Sequence, residues 1–444
     1  MRSGIKRYKK HLLIAINERP CLETNNDYQL NNPVLEQASA VQALFPYHIQ
    51  LRDYFKKRTK TWNWFAEEHN KISQIKKFKT ELLKNTYRLD KEAHANLYAI
   101  CDSVCQGLSI DAEVTLYQEN NSTQLNAGIS IIGKEAHIVL SGNVLSLLSD
   151  AEFKALVGHE LSHYLFFKVD NEEFEITQRI ILALANDSRS DNALIETARI
   201  FQLYMELFCD LGAYKVCGDH YVTIQTLVKI NTGLREVSAA SYLKQAEEIL
   251  NEDNLSGSMH HSHPESYIRS IALKLVAENA LDYVESIQTL IEGPLDVNNL
   301  DIFGQVKVKD ITHDLLQCIA SPAWINSSLV RNLCKEYFSD FSKKESYKSP
   351  VELAKLLAKT NASVKNYFSY VLLDFARVDT SMESTPLAFT LEIAELLDIV
   401  TVYEKIVRKE LKLTIRDFKA LKKSAMADLQ QIVESKTESL YDND

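Results

Sequence analysis

Glycine and proline are scarce in this sequence, 12 and 8 among 444 residues. So few chain-breakers leave room for few tight turns and point to a mostly helical chain. Long apolar runs are also missing. A bilayer-spanning helix needs roughly 18–20 apolar residues. The run Ile180 to Ala185 is instead closed off by Arg179 and by Asn186 and Asp187. Near the start, His11 to Asn17 is too short for a signal segment and lacks a small-residue cleavage site. No basic stripe is present: lysines and arginines are spread along a chain of net charge −10, so nucleic acid is not an expected partner. The basic run Lys6 to Lys10 reads as a short solvated tail. Cysteine is too sparse and too irregular for a disulfide framework: seven residues, an odd number, with no paired spacing. Cys101 and Cys105 share an apolar helical face and read as buried core thiols. This usage fits a reducing compartment, and the chain reads as soluble and cytoplasmic.

What is present is ordinary globular material, 45% hydrophobic and 25% charged, enough for a sizeable core. The length suggests two or three domains. Residues 1–33 look irregular. From Val34 to about Leu89 the pattern is helical, with Trp62, Trp64 and Phe65 among many lysines. A charged amphipathic pair of helices is the preferred reading there, over a membrane-surface helix. Lys91 to Gly107 is a further amphipathic helix. Glu113 to Tyr117 alternates like a strand. Ala127 to Ile132 and His137 to Leu140 are short apolar runs that suggest a small sheet. Ser149 and Glu152 form a capping-box pattern that opens another helix. Gly293 to Asn299 is a linker candidate, and the remainder is helical to about Val433. The expected fold class is mainly α with a small β-sheet, α+β.

The chemistry lies on the helix opened by Ser149. His159-Glu160-Leu161-Ser162-His163 places two histidines four residues apart, on one helical face. Both rings can then reach one cation. Glu160 is displaced by about 100° around the helix, so it can face the same cleft without binding the metal. That position suits a general base acting on a metal-activated water. The pentapeptide alone is within reach of chance, its bland alternative being two surface histidines on an amphipathic helix. Downstream, Glu206 and Asp210 are again four apart and are embedded among Leu203, Met205, Leu207, Phe208 and Leu211. Buried acids without a cation are costly. Glu206 can complete a His2Glu zinc site, and Asp210 can accept the free ring N–H of a ligand histidine. A third element is His263-Pro264, opening a helix that carries Arg269, with His260 and His261 just upstream. Alone, these histidines read as loop residues. Beside the other two elements, His263 is a donor that can reach the metal cleft.

The order strand, His-Glu-x-x-His helix, Glu-x-x-x-Asp helix, His-Pro-x-x-x-x-Arg resembles the gluzincin family that holds the HtpX-type heat-shock protease and the CAAX prenyl endopeptidase. The resemblance covers about residues 95–285. It implies zinc ligands His159, His163 and Glu206, with Glu160 as general base. It further implies Asp210 as the carboxylate behind a ligand, His263 as oxyanion stabiliser and Arg269 as support for the acidic side. Asn126 and Ala127 resemble the pair that opens the family's substrate-binding edge strand, which would take an extended peptide by β-addition. Two departures stand out. The best-known members are membrane-embedded, and Cys209 replaces the usual alanine before the aspartate. Near Asp379 and Glu383 a weaker echo is similar to a TerB-like helical domain. The plainer reading there is an exposed acidic helix junction.

The expected organisation is a helical region at 1–90, a zinc metallopeptidase domain at 91–292 and a helical bundle at 300–444. The expected function is a one-zinc endopeptidase acting on a peptide or protein. The alternative is a regulated or inactive metallopeptidase fold that works as a protein-binding or stress-signalling module through its helical flanks. In either case the C-terminal helices are a candidate surface for a protein partner.

Overall fold

A computed structural model of the protein describes residues 43–67, 72–120, 122–252, 257–258, 263–279 and 282–441. The basic run Lys6 to Lys10, residues 1–33, and His260 and His261 lie outside them. The described residues divide at Gly293/Pro294 into two compact units.

Among its described residues the first unit is mainly helical with one four-stranded sheet, so the α+β expectation holds. The strands are β1 (Thr86–Arg88), β2 (Glu113–Glu119), β3 (Asn126–Ile132) and β4 (Glu135–Ser141), in the order β1-β2-β4-β3. β3 and β4 form an antiparallel hairpin across Gly133, whose φ of 61° is the left-handed value such a tight turn needs. β2 runs parallel to β4, and β1 pairs antiparallel with β2. β3 therefore lies at a sheet edge. β1 corrects the helical reading of Val34 to Leu89. Thr-Tyr-Arg is too short to show a strand period, and its strand state comes from pairing with Tyr117, Gln118 and Glu119. The next helix begins at Ala95 and not at Lys91. The Asp90 carboxylate captures the Glu92 and Ala93 amides at 3.0 Å, which holds residues 91–94 in a turn.

One face of the sheet is covered by the helix Ala95–Leu108 and by the motif helix, Asp150–Lys168. Val104, Leu116, Ile138, Val157 and Leu161 meet in that core, with Cys101 among them. Cys101 is fully buried and burial pushes its thiol up to about 12, so it is inert core. On the other flank the helix Pro46–Lys56 inserts His48 among Phe166, Phe174, Phe201 and Tyr204. Burial drives the His48 ring down to about 3, so it sits neutral in this aromatic cluster. The neighbouring helix Thr59–Ala66 buries none of its residues, and Trp64 is 59% exposed.

The motif helix starts where its capping box dictates. The Glu152 carboxylate accepts the Ser149 amide at 2.9 Å, and Ser149 Oγ accepts the Glu152 amide at 3.4 Å. Lys229 adds an ion pair to Glu152 at 2.8 Å, with both side chains mostly buried. Burial opposes ionisation of Glu152, but Lys229 and Ser149 outweigh it and hold its pKa below the ordinary value. A depressed carboxylate stabilises the fold above its unfolded pKa and stops doing so as pH falls through the folded value. Glu152→Ala is therefore expected to cost about 2–3 kcal/mol at pH 7. That difference should shrink steadily below pH ~4.5. Chemical denaturation at several pH values measures it, and a loss that does not change with pH would exclude the ion pair as its source.

The second unit is helical, with seven α-helices among its described residues, from Ile302–Ala320 to Ile415–Tyr441. Its core gathers Leu315, Phe368, Leu372, Phe375, Leu391 and Tyr403. Asp379 accepts the Ser381 amide and hydroxyl at 3.1 and 2.6 Å, and so caps the short turn Thr380–Met382. Glu383 follows at φ 50°. Asp379 is buried in this turn, so the reading of an exposed acidic junction is corrected at that residue. No helix among the described residues is long and apolar enough to cross a membrane.

Candidate metal centre

Two packed helices build the site. The motif helix carries His159, Glu160 and His163, and the carboxylate helix, Asn192–Cys217, carries Glu206 and Asp210. The carboxylate helix is capped by Asp191 at its start and by Gly218, at φ 72°, after its end. Its segment from Leu203 to Ala213 is buried throughout. The two helices approach closely at Gly158. A Cβ there would stand 2.6 Å from a Val216 methyl and 3.0 Å from the Ala213 Cα. Glycine inside a helix weakens it by roughly 0.5–1 kcal/mol relative to alanine, so its presence marks a place where no side chain fits. The signal stands one residue before His159, and helical periodicity, which ranks residues by polarity, passes over it.

Beside this contact His159, His163, Glu206 and Asp210 meet. His159 Nε2 lies 3.4 Å from Glu206 Oε2, and His163 Nε2 lies 3.8 Å from Glu206 Oε1. Behind His159, its Nδ1 is 3.0 Å from Asp210 Oδ1. Asp210 in turn receives Arg269 Nε and Nη2 at 2.6 and 2.5 Å, a two-pronged grip from the helix Ser266–Ala277. His263 comes from outside both helices, with its Nε2 3.5 Å from Glu206 Oε2 and its side chain 57% exposed. The structure thus brings together His159, His163, Glu206, Asp210, His263 and Arg269, with Glu160 buried beside them. Asn126 and Ala127 are at the start of edge strand β3, opposite Ser141 and Leu140.

Charge in the site is unusual. Burial lifts the Glu160 carboxyl to about 7, with His159 working against the rise and Glu206 adding to it. Burial lowers the His163 ring to about 4 and keeps it a neutral donor. Burial would lower His159 too, but Asp210 and Glu206 outweigh it and raise the ring to about 10. Burial opposes ionisation of Asp210 and Glu206 as well, yet both are held below the ordinary range, Asp210 chiefly by Arg269 and Glu206 chiefly by His159. An ionised Asp210 accepts only, so His159 Nδ1 donates in that bond, and a cation held at the centre would displace the proton on Nε2.

The donor set fits a zinc ion. Glu206 is 2% exposed, and its Oε2 is buried with no hydrogen-bond partner. Two imidazole nitrogens and one carboxylate converge, with Asp210 supporting the first ring, which is the composition of an open His2Glu zinc site. The Cys209 thiol also falls within 4.8 Å of donor nitrogens of His159 and His163. Burial and the carboxylates of Glu206, Asp210 and Glu160 push that thiol well above its ordinary pKa. Zinc binds a thiolate, so a Cys209 ligand would have to lose its proton on binding, whereas Glu206 is ionised already.

Residues 92–276 match the model of Peptidase family M48. A peptidase domain of this family is present, and the match supports a metallopeptidase acting on peptide or protein substrates. No curated protein and no solved structure matches the chain.

Proposed function

We propose that this protein is an HtpX-like zinc endopeptidase, with one ion held by His159, His163 and Glu206. The observation that carries this reading is the buried Glu206 carboxylate, whose Oε2 has no hydrogen bond and faces His159 Nε2 at 3.4 Å. When bound, zinc supplies a Lewis-acidic centre that polarises a carbonyl and draws the pKa of a coordinated water toward about 7. Glu160 takes the proton of the attacking water on its carboxylate and hands it to the leaving amine nitrogen. A carboxyl lifted to about 7 is suited to both transfers near neutral pH. His263 donates from its exposed ring to the carbonyl oxygen as charge develops there. Asp210 fixes the tautomer and orientation of His159, and Arg269 balances Asp210. The free edge of β3, opening at Asn126 and Ala127, would take the peptide as an added strand. The helical unit after Pro294 is proposed as a surface for a protein partner.

The metal assignment is tested by Glu206→Gln, which keeps shape and removes the anionic donor. Losing an outer partner of a zinc ligand weakens binding by roughly 10–100-fold, and losing a ligand should exceed that. Competition against a chelating dye measures the affinity, with circular dichroism to show that helix content is kept. Wild-type affinity in Glu206→Gln would remove Glu206 from the ligand set.

A further inference from the structure

His263 precedes the first turn of the helix Ser266–Ala277, outside any helix or strand. Its place depends on how the chain before and after it is tied down. The described tie is at Ser258, which is buried. Its amide donates to the Ile291 carbonyl at 3.2 Å. Its carbonyl accepts Arg199 Nη1 at 2.8 Å. Its hydroxyl donates to Glu265 Oε2 at 2.6 Å and so joins the chain on either side of His263. Arg199 is itself braced by Glu196, whose two oxygens receive Nε and Nη2 at 2.8 and 2.6 Å. Just before the tie, Gly257 sits at φ 78°, and a Cβ there would be 2.6 Å from the Gly293 nitrogen. Only glycine allows that approach.

We propose that Arg199 is a positioning residue: through Ser258 and Glu265 it holds His263 at the metal centre. Arg199 and Glu206 lie seven residues apart on one helix, about two turns. The zinc ligand and the anchor of the oxyanion donor therefore share a rigid element. The Ser258–Glu265 bond fixes Glu265, two residues after His263. Fixing Glu265 in advance holds the His263 ring 3.5 Å from Glu206 before any substrate arrives. This inference rests on the proposed role of His263, so its test separates the two.

Hydrogen exchange on the full-length zinc-loaded protein decides the clamp without reference to turnover. Arg199→Ala is expected to speed exchange of the Ser258 amide and of the Arg269 amide, which donates to the Glu265 carbonyl, by about tenfold, as the loss of one hydrogen bond does. Ser258→Ala, a smaller change that cuts the bond to Glu265, should speed exchange of the Arg269 amide similarly. Arg199→Lys should restore part of the protection. Unchanged exchange of the Arg269 amide in both alanine variants overturns the clamp.

Turnover of fluorescein-labelled casein then tests the route of action. His263→Ala should lower kcat by about 100-fold, the scale of one lost oxyanion donor. Arg199→Ala should lower kcat by about tenfold with little change in KM. In the His263→Ala background it should add nothing. An equal loss in both backgrounds overturns the positioning role and leaves His263 standing. No loss in His263→Ala removes the donor role and the inference built on it.

Discussion

Glu160→Gln is expected to lower peptide cleavage by about 10³–10⁴-fold while zinc stays bound. The two outcomes come from different sides of the motif helix. His159 and His163 face Glu206, and the proposed ligand set does not use Glu160. Glutamine has the same shape but neither accepts the proton of the attacking water nor delivers one to the leaving amine. The fold should tolerate the change. Glu160 is buried, and burial has already lifted its pKa to about 7, so a neutral amide replaces a charge that the site disfavours. Zinc content per chain and casein turnover measured on one preparation give the answer. Cleavage that survives with zinc in place would falsify Glu160 as the general base. Cleavage lost together with zinc would assign Glu160 to the metal.

Arg269→Met is expected to destabilise the metal-free protein by about 3–5 kcal/mol. Arg269 and Asp210 are both buried, and the guanidinium grips the carboxylate through two bonds of 2.6 and 2.5 Å. Removing the cation leaves a buried anion with only His159 to offset it. Replacing both partners is different. Arg269→Met with Asp210→Leu removes both charges and should recover most of the lost stability, as apolar replacement of a buried pair often does. Zinc affinity should not recover. His159 loses the acceptor that orients its Nδ1, a loss worth roughly 10–100-fold in metal binding. Denaturant midpoints and chelator competition read the two effects separately. A double variant that regained zinc along with stability would mean that Asp210 orients nothing.

Much of this site is legible in the sequence because helical spacing is rigid. Residues four apart must share a face, so the two histidines and the two acids declare their surfaces by spacing alone. The capping box at Ser149 marks where the motif helix begins. The parts that stay hidden depend on distant chain. β1 has three residues and owes its strand state to β2. Arg199 meets Ser258 across 59 residues, and nothing near either one announces the bond. The helix Pro46–Lys56 sits in a stretch that reads as a charged amphipathic pair. Its buried face, Tyr47, His48, Leu51, Tyr54 and Phe55, has partners the spacing does not name, because the aromatic groups around His48 lie more than 100 residues later. Asp210 and Arg269 lie 59 residues apart, and here a motif spacing could speak where periodicity could not.

Gly158 gives the centre a dimensional tolerance. The proposed ligands stand on two separate rods. The gap is gauged by a position that offers no donor atom, where one helix rides against Ala213 and Val216 of the other. A methyl group inserted there would act as a shim, and every nitrogen-to-oxygen distance across the gap would open together. All of the ligand chemistry could be kept and the centre still lost. Fidelity of the proposed metal site is therefore enforced by bare backbone, one residue away from the first histidine.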